Sequence, residues 1–388
     1  MDVSTWRVPA LEKVVFGRPA AQAVAREVAA RNHFRVLVLT SGSVTGTPLV
    51  AGIVEALGER SVGVYSAIPA QAPAADVLAA ADHARAVGAD VIVAVGGGSV
   101  IDAAKVVVIC LGEGVTDAAG LEPFRGFAAA AEPSRRPPDE ASWTRLVAVP
   151  TTLSAAEFTW WGGVLDPERG KKAPFAHPLA IPLAIVLDPA AALTAPLALF
   201  TSTGMKAVDH SVERLCAPRL DPLTEAHATQ SLRMLARGLP LVAADPGDPA
   251  ARHDCQVGMA LGMIGPATGA KVGACHAIGH AMGAHAGVPH GITSCVLLPA
   301  VLRWNRGVDT GRQELISAAM GRPGVHAADV VHDLVAALEL PTRLSDIGLA
   351  RADLPLIAEK TLGDMALGGN PRHVNTADDV MEILESAW

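Results

Sequence analysis

Short apolar runs alternate with helical patterns along the first half of the chain. The runs have the length of buried strands, and the segments between them repeat apolar residues every three to four positions, as helices do. The predicted strands are 35–39, 62–65, 91–95, 146–149 and 184–187, and the predicted helices are 48–57 and 74–87. This alternation predicts a parallel sheet packed between helices, an α/β domain.

From Pro189 onward β-branched runs become scarce and helical periodicity dominates. The predicted helices are 201–216, 223–239, 250–264, 275–286 and 325–338. The sequence therefore predicts an α/β domain over residues 1–188, followed by an all-α domain over residues 189–388. Between the predicted strands, residues 112–142 are rich in Gly, Ala, Pro and charge, which indicates a long excursion or loop with a short helix.

Composition narrows the class of protein. The 388 residues are 50% hydrophobic and 18% charged, with mean hydropathy +0.33, which is typical of a chain with a sizeable core rather than a disordered one. A formal net charge of −8 without a long basic run argues against a nucleic-acid partner and favours small-molecule ligands. The most membrane-like stretch, residues 178–200, contains four prolines and Asp188, so no membrane partner is expected.

Cysteine usage and the start of the chain bear on localisation. Five cysteines, odd in number and widely spaced, indicate buried thiols rather than a disulfide framework. The first four residues show neither a basic nor an apolar leader region. We therefore expect a cytoplasmic protein.

A glycine turn follows the predicted strand 91–95. Gly96, Gly97 and Gly98 separate that strand from a predicted helix. Glycines let backbone N–H groups approach a phosphate closely, and the free N–H groups of a helix N-terminus complete a cradle for an anion. The alternative is a plain strand-to-helix turn in which Ser99 is the N-cap, which needs at most one glycine. Three in a row favour a pyrophosphate site.

The segment Gly96-Gly97-Gly98-Ser99-Val100-Ile101-Asp102-Ala103-Ala104-Lys105 resembles the signature of the iron-containing (group III) alcohol dehydrogenases. Similar segments follow in order along the whole chain: Val149-Pro150-Thr151-Thr152, Glu157, Asp166-Pro167, Lys171-Lys172, Leu187-Asp188-Pro189, Thr203-Gly204-Met205, His276 to His290, and Asn370-Pro371-Arg372. Residues 151–159 resemble the maleylacetate reductase subgroup. The resemblance implies a nucleotide-binding α/β domain followed by a helical domain, the architecture shared with dehydroquinate synthase.

The resemblance also implies a bound NAD or NADP. Its implied contacts are with Ser41, Gly96, Gly97, Gly98, Ser99, Asp102, Thr151, Thr152 and Lys172. Relatives that prefer NAD carry an Asp after the first predicted strand, where this chain has Thr40-Ser41-Gly42-Ser43, so a 2′-phosphate meets no carboxylate and NADP is expected to be accepted. The alternatives are that the threonines are turn residues and that Lys172 is a solvated charge.

A histidine cluster lies in the second half. His276 and His280 stand four apart on one helical face, and His290 follows. In the resembled family an Asp and a His four apart, with two His fourteen apart, hold a divalent ion, iron or zinc. His210, His276 and His290 match the three histidines, but Lys206 stands where the Asp is expected.

A charged Lys206 about 4 Å from a dication repels it by about 8 kcal/mol at an effective dielectric of about 20. Asp209 is not an obvious replacement, because the neighbour of His210 points about 100° away around a helix. Three alternatives stay open: Lys206 binds as a neutral amine, it swings aside and water takes the place, or no metal binds.

Without a metal, Lys206 is the candidate electrophile, because an ammonium group can stabilise the negative charge that hydride transfer builds on a carbonyl oxygen. His280 is the candidate that relays the proton, as the resemblance also implies. The competing interpretations are a surface lysine and a buried structural histidine.

The expected function is therefore an NAD(P)-dependent oxidoreductase that interconverts an alcohol and a carbonyl, with the substrate in the cleft between the domains. One alternative is maleylacetate reductase-type reduction of an unsaturated oxo-dicarboxylate, which a cationic Lys206 would suit. A dehydroquinate synthase-like lyase or cyclase and an inactive family member are the others. Relatives often dimerise, so a homodimer is expected.

Overall fold

The computed structural model describes residues 11–126, 143–166, 171–265 and 271–388. The chain folds into two compact units. One extends to Ala195 and the other runs from Pro196 to Trp388, whereas the sequence prediction puts the boundary after residue 188. Asp188 accounts for the position of the break: it accepts hydrogen bonds from the N–H groups of Ala190 and Ala20, 2.9 and 2.7 Å long, which tie the segment after it to the first unit.

The first unit is built on a parallel sheet of six strands in the order β1-β8-β5-β4-β2-β3. These strands are β1 Lys13–Phe16, β2 Val36–Leu39, β3 Ser61–Tyr65, β4 Val91–Gly96, β5 Arg145–Pro150 and β8 Ala184–Leu187. Its helices are α1 Ala20–Ala30, α2 Gly42–Thr45, α3 Pro48–Leu57, α4 Ala74–Ala86, α5 Gly98–Glu113, α6 Ala118–Leu121 and α7 Pro189–Ala192. The central strands β4 and β5 are buried along their whole length, as continuous apolar runs predict.

Two apolar clusters cover the two faces of this sheet. One packs α4 and α5 against residues such as Leu37 and Ile92, and the other packs α1 and α3 against Val36 and Val93. Neighbouring residues of β2 and β4 thus serve opposite faces, which is the period of two expected of strands. The alternation of strands and helices correctly predicts this layered α/β unit.

An antiparallel hairpin departs from the predicted pattern. It pairs β6 Trp161–Asp166 with β7 Lys171–Ala176. Gly162 lets it approach α5, because a Cβ there would lie 2.4 Å from the carbonyl oxygen of Asp102. The predicted excursion at 112–142 contains the short helix α6, and its residues 127–142 lie outside the described part of the chain.

The second unit is helical in its described part, as predicted. Its helices are α8 Leu197–Cys216, α9 Pro222–Ala244, α10 Pro249–Gly262, α11 Ala274–Ala286, α12 His290–Asn305, α13 Thr310–Ala319, α14 Ala327–Ala337, α15 Leu354–Thr361 and α16 Ala377–Ser386. Helix α8 packs against α9, α10 and α12, and α11 packs against α12, so polar residues of α8 lie in the interior. Within the described residues no helix combines the length and apolarity needed to cross a membrane.

Candidate functional site

The glycine turn of the first unit lies between β4 and α5. Gly97 is the N-cap, so the helix begins at Gly98 and the alternative that Ser99 caps it is wrong. A Cβ on Gly97 would lie 3.2 Å from Thr152 Cγ2, and one on Gly98 would lie 2.9 Å from Ser154 Oγ. The turn therefore needs glycines because it packs closely against the segment after β5.

Two hydroxyl groups at this turn are buried without a hydrogen-bond partner in the described structure, Thr152 Oγ1 and Ser154 Oγ. Buried polar groups normally have partners, so such groups indicate an absent ligand or water. Beside them begin the free N–H groups of α5, a sixteen-residue helix whose N-terminus favours an anion. Hydroxyl and N–H donors around a glycine turn fit a nucleotide pyrophosphate.

The other predicted cofactor residues of this region have local partners. Ser99 Oγ accepts a hydrogen bond from the N–H of Gln71, 3.1 Å long. The N–H of Thr151 donates to the carbonyl oxygen of Gly96 over 3.0 Å. Ser41 is the N-cap of α2, and its hydroxyl lies 3.0 Å from that of Ser43 on the surface. No acidic side chain occupies this β2–α2 turn.

A network of charged groups lies behind the turn, on α5 and the hairpin. The Lys105 side chain is fully buried, and its Nζ donates to Ala156 O over 2.8 Å, to Thr159 Oγ1 over 2.9 Å and to Trp161 O. Asp102 lies 3.0 Å from Lys105 Nζ and 3.6 Å from Lys172 Nζ. Burial lowers the pKa of Lys105, against the opposing effect of Asp102. Asp102 and Lys172, both predicted from the resemblance, are thus held together here.

Glu157 is fully buried in the short turn Ala156–Phe158, and neither carboxyl oxygen has a hydrogen-bond partner in the described structure. Burial raises its pKa to about 7, although the nearby Lys105 charge acts in the opposite direction. The native state therefore binds this proton more tightly than the unfolded chain does. Glu157 destabilises the native state once it ionises.

Replacing Glu157 with Gln is expected to flatten the pH dependence of stability between pH 5 and 8. The unfolded carboxyl loses its proton near pH 4.5 and the native one near 7, so wild-type stability falls as pH rises through this window, by about 3 kcal/mol in total. Urea unfolding at both pH values measures this. The exposed Glu55→Gln is the control, and equal pH slopes for wild type and E157Q would contradict the assignment.

In the second unit, α8, α11 and α12 bring together all the predicted histidines. The rings of His210 and His276 stack at 4.8 Å between centroids. His280 lies edge-on to His276 at 6.2 Å and to His290 at 5.1 Å. Lys206 is on α8, one turn before His210. The sequence spacing therefore correctly predicts a cluster.

Glu213 fixes the ring of His276. Its carboxylate accepts hydrogen bonds from the N–H groups of Gly273 and Cys275, 2.8 and 2.7 Å long, at the N-terminus of α11. Its Oε2 also lies 2.6 Å from His276 Nδ1. A carboxylate on Nδ1 leaves Nε2 as the nitrogen with a lone pair, which is how proteins orient histidines that bind metals or substrates.

Asp209 is fully buried beside the same ring. Its Oδ2 lies 3.4 Å from His276 Nδ1, accepts a 2.6 Å hydrogen bond from Ser294 and lies 3.8 Å from Lys206 Nζ. Although Asp209 is turned away from His210 around α8, it contacts the cluster, because its Oδ2 reaches His276 on α11 and Ser294 on α12. Its carboxylate faces the Nδ1 side of His276, opposite to Nε2.

Lys206 is 9% exposed, so the alternative of a surface lysine is wrong. Its ammonium is partly compensated by Asp209, which reduces the repulsion calculated for the ammonium alone. His280, by contrast, has a side chain 44% exposed, so the alternative of a buried structural histidine is also wrong.

Three of the four expected ligand positions, those of His210, His276 and His290, carry side chains that suit a divalent ion. Imidazole nitrogens suit iron and zinc, and three histidines with an open fourth position form a known catalytic type of zinc site. His210 Nδ1 and His276 Nε2 are buried without a partner in the described structure. Burial holds the pKa of both rings well below its ordinary value, which keeps them neutral. Lys206, at the fourth position, has no lone pair while it is charged.

A second group of ligand-type atoms lies close together, within 4.8 Å, and comprises Asp209, Glu213 and Cys275. Both Glu213 oxygens accept hydrogen bonds from backbone N–H groups and Asp209 Oδ2 accepts one from Ser294, whereas Asp209 Oδ1 has no hydrogen-bond partner in the described structure. Burial raises the pKa of Cys275 well above its ordinary value, so the sulfur is a thiol. Asp209 and Glu213 of this group support the His276 ring through its Nδ1.

Sequence reasoning missed Glu213, Ser294 and Asp364 as partners of the site. Glu213 does stand one turn after Asp209 and His210 on the same predicted helix, and that spacing was a usable signal. Ser294 and Asp364 lie 85 and 84 residues from the side chains they contact. Separations of that size leave no local pattern.

Two family models and several known proteins are similar to this chain. Residues 11–189 match the family model "Iron-containing alcohol dehydrogenase", and residues 200–388 match "Fe-containing alcohol dehydrogenase family, C-terminal". Dehydrogenase ALT3 from Alternaria alternata is 30% identical, over 91% of this chain and 98% of its own length. Maleylacetate reductase 2 from Cupriavidus pinatubonensis is 29% identical, over 97% and 94%.

Among solved structures, sulfoacetaldehyde reductase from Bifidobacterium kashiwanohense in complex with NAD⁺ has the same fold, with a TM-score of 0.87 at 21% identity over 99% of this chain and 98% of that one. The family models span both units, and the relatives cover nearly the whole chain. The chain belongs to the iron-containing alcohol dehydrogenase family, near the maleylacetate reductases, and is an oxidoreductase of alcohols and carbonyls.

Proposed function

We propose that this oxidoreductase uses NAD(P), with the pyrophosphate on the glycine turn of the first unit. The observation that carries the cofactor assignment is the pair of unpartnered, buried hydroxyls of Thr152 and Ser154 beside Gly97 and Gly98. The NAD⁺ complex of sulfoacetaldehyde reductase, a protein of the same fold, supports it. When bound, the reduced nicotinamide supplies the hydride.

The cofactor contacts proposed for this chain follow from that placement. The N–H groups of Gly97, Gly98 and Ser99 bind the pyrophosphate, and Thr151 and Thr152 line the same turn. Lys172, which Asp102 holds 3.6 Å away, contributes a positive charge near the bound ribose. The β2–α2 turn around Ser41 has no carboxylate to repel a 2′-phosphate, so both NADH and NADPH are expected to be substrates.

In the helical unit, Lys206 and His280 are the proposed catalytic residues. In a reaction without a bound metal, the Lys206 ammonium stabilises negative charge on the carbonyl oxygen as it becomes an alkoxide, and burial strengthens that interaction. His280 exchanges the proton of that oxygen with solvent, for which its partial exposure is suited.

His210, His276 and His290 would hold a divalent ion, which when bound polarises a carbonyl oxygen as a Lewis acid. The unpartnered nitrogens of His210 and His276 support this assignment. Asp209 and Glu213 keep the His276 ring oriented whether or not an ion is present, because their contacts are to Nδ1.

Reduction of an unsaturated oxo-dicarboxylate is the second candidate. It is favoured by the similarity to maleylacetate reductase 2 and by a buried cation, Lys206, in place of an anionic ligand. The lyase alternative has no such support, because the family is one of oxidoreductases.

The test is oxidation of NADH and NADPH by protein purified without added metal salts or chelators. Maleylacetate is compared with a panel of simple aldehydes and ketones, and the metal content of the same sample is measured. We expect net turnover of both cofactors with at least one carbonyl. The absence of turnover with every carbonyl would instead favour an inactive family member.

A further inference from the structure

His280 and Asp364 form a pair at the start of a short turn in the helical unit. His280 Nδ1 lies 2.8 Å from Asp364 Oδ2. The two side chains are 44% and 24% exposed, so the carboxylate is the more enclosed partner. The pair links α11 to the segment between α15 and α16. His280 and Asp364 are 84 residues apart along the chain.

Asp364 is anchored on both carboxyl oxygens. Its Oδ1 accepts a 2.8 Å hydrogen bond from the N–H of Ala366, which makes it the N-cap of the turn Met365–Gly369. Burial alone would raise the pKa of Asp364, but the hydrogen bond and charge of His280 outweigh it and hold the pKa below its ordinary value. A carboxylate held in this way cannot rotate away without losing a backbone hydrogen bond.

An ionised carboxylate only accepts hydrogen bonds, so the proton between the two residues belongs to His280 Nδ1. In the neutral ring Nε2 then carries the lone pair. The edge-on contacts with His276 and His290, at 6.2 and 5.1 Å between centroids, fix the plane of the ring from the other sides. One tautomer and one orientation are thereby selected.

We propose that Asp364 is a positioning residue that holds His280 in the Nδ1–H tautomer, with Nε2 presented for proton exchange with the substrate oxygen. The inference rests on the proposed role of His280. The reaction requires only that Nε2 takes the hydroxyl proton during alcohol oxidation and returns a proton to the oxygen during carbonyl reduction.

The chain contains a matched control on the same helix. His285 Nε2 lies 3.1 Å from Asp353 Oδ1, with side chains 22% and 37% exposed. This second pair has the same chemistry but is bonded through the other ring nitrogen, and His285 has no role in the proposed site. Asp353→Asn therefore measures what removing a histidine-bound carboxylate costs when catalysis is not involved.

Asp364→Asn is expected to lower kcat by roughly 100-fold or more, because the amide can donate to Nδ1 and stabilise the wrong tautomer. KM should change little, Asp364→Glu should recover part of the rate, and Asp353→Asn should retain the wild-type rate. In a His280→Ala background, Asp364→Asn should cost nothing further. Unfolding midpoints of all variants separate these effects from loss of structure.

Equal kcat values for Asp364→Asn and Asp353→Asn, or full additivity with His280→Ala, would overturn the inference. Nitrogen-15 NMR of the histidine rings gives a readout that needs no turnover. We expect His280 in the Nδ1–H tautomer in wild type and a shift to Nε2–H in Asp364→Asn. If wild type shows no turnover, the proposed function is wrong, and the tautomer measurement alone then tests this inference. An Nε2–H tautomer of His280 in wild type would overturn it.

Discussion

Replacing Lys206 with alanine is expected to lower kcat for carbonyl reduction by roughly 100-fold to 1,000-fold, the usual cost of losing one preorganised donor to a developing oxyanion. Lys206 is 9% exposed and has Asp209 3.8 Å away, so its charge acts in a largely water-excluded site. Steady-state kinetics measure the effect. Arginine at the same position preserves the charge and should retain more of the rate than alanine.

The companion substitution Lys206→Asp distinguishes an electrophile from an impaired metal site. It places a carboxylate four residues before His210, which completes the ligand set of the resembled family. We expect Lys206→Asp to bind about one divalent ion per chain and to be more active than Lys206→Ala, and we expect a chelator to remove that activity. Metal content and activity before and after chelation measure both. A Lys206→Ala enzyme with wild-type kcat would remove Lys206 from the mechanism.

Replacing Lys105 with methionine is expected to destabilise the first unit by about 3–5 kcal/mol, the range for breaking a buried ion pair by removing one partner. The fully buried ammonium lies 3.0 Å from Asp102 and donates to Ala156 O, Thr159 Oγ1 and Trp161 O. Methionine fills the space but leaves these acceptors buried without a donor. Urea unfolding measures the change in free energy.

Lys172→Met is the matched control for Lys105→Met. Lys172 is 35% exposed and lies 3.6 Å from the same carboxylate, Asp102. A partly exposed pair of this kind contributes about 0–1 kcal/mol. Similar losses of unfolding free energy for the two variants would contradict the prediction that burial makes the contacts of Lys105 more important for stability than those of Lys172.

The buried strands and long helices could be predicted because their signal is local. The runs around Val93 and Val147 are apolar without interruption, and a strand buried on both faces has that pattern wherever it lies in the sheet. The hairpin of β6 and β7 was not predicted. Its glycines, Gly162 and Gly163, weaken any strand signal, and only packing against α5 explains Gly162.

Within the candidate site, sequence spacing was sufficient where the residues share a helix. His276 and His280, four apart on α11, and Lys206 and His210, four apart on α8, were predicted as neighbours and are neighbours. Asp209 shows the limit of the same argument. The helical angle separates it from His210, but a second helix packed on its own side brings it into contact with His276.

The sequence by itself determined the alternation of the central strands with helices, the glycine turn and the presence of a lysine where the resembled family has an acid, because each depends on residues adjacent or one helical turn apart. Only the tertiary structure decided which carboxylates orient the histidines, that Lys206 is buried against Asp209 and that Lys105 is enclosed by the hairpin. Those contacts join residues tens of positions apart, and their energies come from burial, which no local pattern records.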